Sequence, residues 1–431
     1  MLKALTLALA LMALPAAAVA QAPAAPVAEA ATPLAMRADQ VVALLNGKVA
    51  PAEIFTDGFR AAIADEQLKA LSASFTAQFG AAVEVSLLAP REGTRAALEI
   101  RFERGLAKGG IAIDPAQEGR INELRFTSID AVAVAGDTPE AIAADLAALP
   151  GIVNAWFAPL GGAPVIERNA SQPLALGSAF KLYVLAALAE DVKAGRRKWS
   201  DVVPLDQKSY PSGQMQDWPK GAPVTLHTLA SLMIAISDNT ATDQLIAVLG
   251  RKRILKLMAD SGHSNPAAND PFLTTREMFA IKAGGDARIA AWRSADHAGR
   301  EAVLAGLATT TPSLNEVAAA FGGGPKAIDI EWFASPTDLS RLFAYMRKSA
   351  DPKAFEIMAI SPSANGEAIR ANWPYIGFKG GSEPGVLNYT WLLTEKSGRD
   401  WVLTLGWNNP DAVVDEGKLN AIAQRILLLP R

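Results

Sequence analysis

The sequence predicts an α+β protein in two folded units, and three observations lead there. Between residues 37 and 131, helical stretches come first and strand-like segments follow. Beyond Thr138, two apolar strand segments come early and three come late, enclosing a helical middle. With 431 residues, half of them hydrophobic and 20% charged, the chain has the balance of a globular protein and the length for more than one core.

Lys and Arg number 41 against 44 Asp and Glu, and no long run of either sign occurs. Neither nucleic acid nor an anionic membrane is favoured as a partner. There is no cysteine, so disulfides, thiol nucleophiles and thiolate metal sites are excluded.

The first twenty residues read as a cleaved secretory signal. Lys3 supplies the positive start, Ala4 to Leu14 the apolar core and Ala18-Val19-Ala20 the small-residue cleavage site. The apolar core falls short of the ~20 residues that span a bilayer. The mature protein is expected to be secreted or periplasmic, with no stable membrane insertion. Residues 21–36, opening "QAPAAPVAEAATPLA", are expected to form an extended Ala/Pro-rich linker.

In the first unit, 37–131, "ADQVVALLNG", "PAEIFTDGFRAAI" and "DEQLKALSASFTAQFG" have helical spacing. "AVEVSLLA", "RAALEIRFER", "GGIAIDP" and "INELRFTSI" have strand character, and the Gly, Pro and Asn between them suit antiparallel hairpins. Helices followed by a meander of strands make an α+β domain. The arrangement resembles the cone-shaped fold of the steroid-isomerase and nuclear-transport-factor superfamily. Charges alternate along its strands like a solvated face, and no ionisable cluster marks a catalytic site. Packing, or a protein partner held through this unit, is the expected role.

The second unit spans 137–431. Thr138 is placed to cap a helix with Pro139 in its first turn. "GIVNAWFAP" and "APVIERN" read as two strands joined across Gly161-Gly162. "TLHTLASLMIAISDNTATDQLIAVLG" reads as two helices meeting near Ser237. The late strands are "YIGFKGG", "VLNYTWLLTE" and "WVLTLGWNN", and a closing helix covers about 418–428. The expected architecture is a five-stranded antiparallel sheet with terminal helices on one face and a helical subdomain on the other.

Within this unit, "GSAFKLYVLAALAE" (177–190) is an apolar helical run with one lysine inside it. A helix apolar nearly all round is buried, and lysine is rarely buried because its ammonium loses hydration. Lys181 follows Ser178 by three positions, so on a helix the two share a face. A serine hydroxyl becomes a nucleophile when a neighbour removes its proton, and a lysine does so once burial and a second cation lower its pKa. The charge is tolerated there because the neutral amine is the working form.

S-x-x-K alone arises about once by chance in a chain this long. Here it is joined by Ser237-Asp238-Asn239 at a helix junction and Lys379-Gly380-Gly381-Ser382 at a strand end. In this order the three elements resemble the S-x-x-K, S-D-N and K-T-G set of class A β-lactamases and penicillin-binding proteins. The resemblance covers roughly the last 295 residues. It implies that Ser178 is the nucleophile of an acyl-enzyme, Lys181 its base, and Ser237 a proton relay to the leaving group. It further implies that Asn239 holds the substrate and touches Lys181, that Asp238 orders its loop, and that Lys379 draws the substrate carboxylate and depresses Lys181. The N–H groups of Ser178 and Ser382 would form the oxyanion hole. No cofactor or metal is implied, and the partner is a small-molecule β-lactam, ester or peptide. Together with the first unit, "ISDNT", "LTTREMF" and "FKGGSEPGV" resemble a two-domain exported subgroup of these hydrolases that includes a member of the clavulanic-acid biosynthetic set.

Two departures bear on the reaction. Gly380 stands where a hydroxyl residue usually follows the lysine, with Ser382 as its substitute. The E-P-x-L-N segment that carries the deacylating glutamate has only Thr311-Pro312-Ser313-Leu314-Asn315-Glu316 as its nearest match, which leaves Glu277 and Glu331 as substitutes. Tyr210 and Trp218, in the loop 209–221, are candidates to wall the pocket, although an aromatic in a loop is more often a packing residue. Without a deacylating base the protein would be a non-hydrolytic penicillin-binding or interaction module that traps acyl groups. A Ser-His-Asp hydrolase is disfavoured, because only His227, His263 and His297 are available and no G-x-S-x-G occurs. No H-E-x-x-H or close ligand cluster marks a metal site, and Gly322-Gly323-Gly324-Pro325 lacks the Lys-Ser/Thr of a phosphate cradle.

Overall fold

The computed structural model describes residues 32–430 apart from Ala135 and Asn365. The expected signal segment, residues 1–20, lies outside the described residues.

The first helix, Pro33–Leu45, begins inside the segment expected to be an extended linker. Thr32 caps it, accepting from the N–H of Ala35, and Pro33 occupies the first turn, where its missing N–H is no loss. Helices Pro51–Ile54, Asp57–Ala62 and Asp65–Phe79 follow, then four strands, Ala82–Glu92, Arg95–Phe102, Gly105–Asp114 and Arg120–Ala131. The strands pair antiparallel in chain order. Along the second strand Ala96, Leu98, Ile100 and Phe102 are buried and the intervening residues are not, the two-residue period of a sheet with one covered face. The helices supply Val41, Ile54 and Phe55 to the same core. Arg37 ties the first helix to the last hairpin by donating to the carbonyls of Gly119 (2.9 Å) and Glu118 (3.0 Å).

After Thr138 the chain builds a five-stranded antiparallel sheet. Its spatial order is Tyr375–Glu383, Val386–Thr394, Asp400–Asn408, Ile152–Pro159 and Ile166–Arg168. Both faces are covered, which is why "WVLTLGW" reads as a nearly unbroken apolar run. Trp391, Leu403 and Leu405 pack with the terminal helices Pro139–Ala147 and Glu416–Leu428. Leu392 and Val402 face the other way, into a helical layer. At its centre runs the helix Lys181–Lys193, buried from Lys181 through Ala189.

The region 251–335 forms a series of short helices, among them Thr275–Ala283 and Leu314–Phe321. Thr274 and Ser313 cap these two. The first four-stranded sheet leans on the terminal-helix side, where Lys108 pairs with Asp130 at 3.0 Å and approaches Glu367 at 3.8 Å. Gly417, in the first turn of the closing helix, abuts Gln78 so closely that a Cβ there would lie 2.9 Å from its side chain. Among the described residues no helix is long and apolar enough to cross a membrane.

Candidate active site

Ser178 sits in a 3-10 turn, Gly177–Phe180, that leads into the Lys181–Lys193 helix. The serine is therefore one turn ahead of the α-helix rather than in it. Gly177 has φ 50°, a conformation that favours glycine, and a Cβ there would lie 2.9 Å from Ser382 N. A Cβ on Gly381 would overlap Leu176 O and Ser178 N. Turn and strand thus meet backbone to backbone, with the backbone nitrogens of Ser178 and Ser382 at that contact. Both residues line a cavity of about 480 Å³ that also receives Ser237, Asn239, Lys379 and Gly380.

Ser237 joins the helices Leu226–Ala235 and Asn239–Leu249. Its φ of 58° is uncommon for a residue with a side chain and is held by what surrounds it. The buried carboxylate of Asp238 caps the second helix at Ala241 N (2.8 Å) and accepts from Gln214 N (2.7 Å) and Met215 N (2.9 Å). That side chain ties the helix junction to the loop, alongside Asn239 N, which donates to Ser212 O at 2.9 Å.

Lys181 is fully buried and donates to Ser237 O (2.7 Å), Ser237 Oγ (3.0 Å) and Asn239 Oδ1 (2.8 Å). Lys379 donates to Ser237 Oγ (3.1 Å) and Gly380 O (2.6 Å). One hydroxyl therefore stands between two amines. Burial, and then the Lys379 charge, hold Lys181 well below the ordinary lysine value against the pull of Asp243 and Asp238. Burial lowers Lys379 to about 7.

Within this grouping Lys181 is engaged with Ser237 and Asn239 and forms no hydrogen bond to Ser178 Oγ. Asn239 meets Lys181 as expected, but its amide nitrogen also donates to Tyr210 O at 3.1 Å, which leaves one amide proton for a ligand. Ser382 is exposed at the rim.

Of the two readings of the loop aromatics, the pocket-wall one does not hold: neither Tyr210 nor Trp218 lines the cavity. Tyr210 contributes its carbonyl, with its ring under Lys208, and Trp218 is 40% exposed; the walls come from Phe180, Trp332, Phe279 and Tyr389. Phe180 and Trp332 stack with ring centroids 3.6 Å apart.

Of the acidic substitutes, Glu277 is committed elsewhere, to Arg251 (2.6 Å) and to Thr274 N (2.9 Å). Glu316 is an exposed capping residue bound to Ser313. Glu331 lines the cavity. Beside it are two residues that the motif reading missed, Glu383 and the fully buried Lys282. Strand alternation from Lys379 through Gly381 to Glu383 was the available signal. His263 is a buried packing residue whose Nε2 meets Phe333 O at 2.9 Å. No group of three potential ligands could hold a metal among the described residues.

A serine-bearing turn seated against a strand end, with two buried lysines about a second serine, is a layout in which a hydroxyl can be activated for attack. The sequence profile described as the Beta-lactamase enzyme family matches residues 138–425, and the chain belongs to that family. Among solved structures, the β-lactamase from Sphaerobacter thermophilus DSM 20745 is similar at 21% identity, covering 67% of this chain and 94% of that one, with a TM-score of 0.46. PBP-A is similar at 17% identity with the same coverage and TM-score. A β-lactamase from Chitinophaga pinensis DSM 2588 is similar at 15% identity, with 67% and 95% coverage and a TM-score of 0.44. No curated protein matches the chain.

Proposed function

We propose that the protein is an exported serine hydrolase of class A type that works through an acyl-enzyme on Ser178, with a β-lactam, ester or peptide as acyl donor. The observation that carries this reading is the Lys181–Ser237–Lys379 cluster at the cavity that Ser178 lines. Ser178 Oγ attacks the carbonyl carbon as the neutral Lys181 amine takes its proton. Ser237 passes a proton from the lysine to the departing nitrogen or oxygen, and the N–H groups of Ser178 and Ser382 bind the oxyanion. Lys379 neutralises an acidic substrate group. Export rests on the amino-terminal leader, and the two-domain subgroup on the helix-then-sheet unit ahead of the hydrolase.

Time-resolved intact mass of the purified protein with penicillin G and with p-nitrophenyl acetate tests this. A transient adduct on Ser178 is expected, and Ser178→Ala should remove both adduct and hydrolysis. Hydrolysis surviving in that variant would refute the assignment.

A further inference from the structure

Lys282, on the Thr275–Ala283 helix, is fully buried and lies between two carboxylates. Its Nζ is 2.5 Å from Glu383 Oε1 and 3.3 Å from Glu331 Oε1, and the side chains of the glutamates are 6% and 0% exposed. One ammonium faces two carboxyl groups in a dry setting. Two negative charges so close to each other are costly to bury together, so the group favours holding one extra proton.

Both glutamates line the cavity that Ser178 lines. Glu383 closes the strand Tyr375–Glu383, two residues beyond Gly381, and shares the strand face of Gly381 and Lys379. Gly381 abuts Ser178 N. The Glu383 backbone therefore lies about 7 Å further along the strand than the contact with the nucleophile's turn. Glu383 Oε2 is buried and receives no hydrogen bond from any N–H or hydroxyl among the described residues.

We propose that Glu383 is the general base of deacylation, with Lys282 and Glu331 as the positioning residues that set its charge. This rests on the acyl-enzyme reading above. In the step, a water molecule loses a proton to the Glu383 carboxylate while its oxygen bonds to the acyl carbon on Ser178. Collapse of the tetrahedral intermediate breaks the carbon–Oγ bond. The serine oxygen regains a proton from Glu383 through solvent, and the product departs as an acid.

Burial foremost raises Glu383 to about 8, with Lys282 opposing and Glu331 reinforcing the shift through its charge and a hydrogen bond to the protonated form. The other charged groups nearby are Lys379 on the same strand face and Glu416, which also lines the cavity. Asp329 stands near Lys282 and is itself paired with Arg293. A base of that strength is suited to work near neutral pH.

The test is stopped-flow and intact-mass kinetics with p-nitrophenyl acetate on the full-length protein. Glu383→Gln should keep the acylation burst and slow deacylation by ~10²-fold or more, so that the adduct persists. In the unaltered protein the deacylation rate should climb as pH rises through about 8. Glu331→Gln removes a charge that holds the proton on Glu383, so that climb should move to lower pH, a displacement that simple loosening of the fold would not produce. Unaltered deacylation in Glu383→Gln, or an unmoved profile in Glu331→Gln, would overturn the inference and leave the Ser178 reading standing. Hydrolysis that survives Ser178→Ala would overturn both.

Discussion

Lys181 Nζ and Ser237 Oγ lie 3.0 Å apart, and the same hydroxyl is 3.1 Å from Lys379 Nζ. The two lysines therefore titrate in each other's field across one serine. As the base of the acylation proposed above, Lys181 would have to be uncharged, so acylation should fall as pH drops and the amine protonates. Lys379→Met removes the charge that helps depress Lys181. Lys181 then keeps its proton to higher pH, and the acid limb of the acylation profile should shift upward. Lys181→Ala should slow acylation by ~10²-fold or more at every pH. Burst rates from pH 5 to 9 check both.

Gly381 and Gly380 are neighbours with different neighbourhoods. A Cβ at 381 would overlap backbone atoms of Leu176 and Ser178, whereas one at 380 would meet the ring of Phe378 at 2.8 Å and of Tyr389 at 3.3 Å. Backbone cannot give way as rings can. Gly381→Ala should destabilise the protein by ~1–3 kcal/mol and, by parting the two N–H groups, slow acylation by ~10²-fold. Gly380→Ala should do much less of either. Thermal melts and acylation bursts distinguish them.

Glu277 is expected to matter for stability alone. Burial would raise its pKa, but Arg251 and the helix-cap N–H and hydroxyl of Thr274 more than offset that and hold it below the usual value. Its stabilisation is therefore full above the unfolded glutamate value of about 4.3 and fades as pH falls through the lower folded one. Glu277→Gln should cost ~1–3 kcal/mol at pH 7, with the difference from the parent shrinking below about pH 4. Denaturant melts at pH 7 and pH 3.5 measure this, and deacylation should be unchanged.

The legible part of the site is the part written in short spacings. Ser178 and Lys181 are three apart, Ser237 and Asn239 two apart, and Lys379 to Ser382 form one strand end, so local geometry already groups them. Glu331 was named singly and strand alternation pointed at Glu383, but the Lys282–Glu331–Glu383 grouping was not legible, for the opposite reason. Its members are 49 and 101 positions apart from the lysine, and only the helices of 251–335 folding over the strand end bring them together. The strands were readable because their apolar residues follow the sheet's two-residue period or form runs covered on both faces. The start of the first helix was not, because Ala and Pro suit both an extended chain and a capped first turn. The exposed or packed state of Tyr210 and Trp218 depended on tertiary packing that loop composition does not encode.

The opening of the closing helix has Glu416 on the cavity wall and Gly417 against Gln78 of the amino-terminal unit. Adjacent residues thus border two compartments at once. A ligand or neighbour that displaced the forward unit would act on this shared post, although none of that unit's described residues lines the cleft. Cutting the chain ahead of Thr138 would likewise take away the buttress on which the post rests.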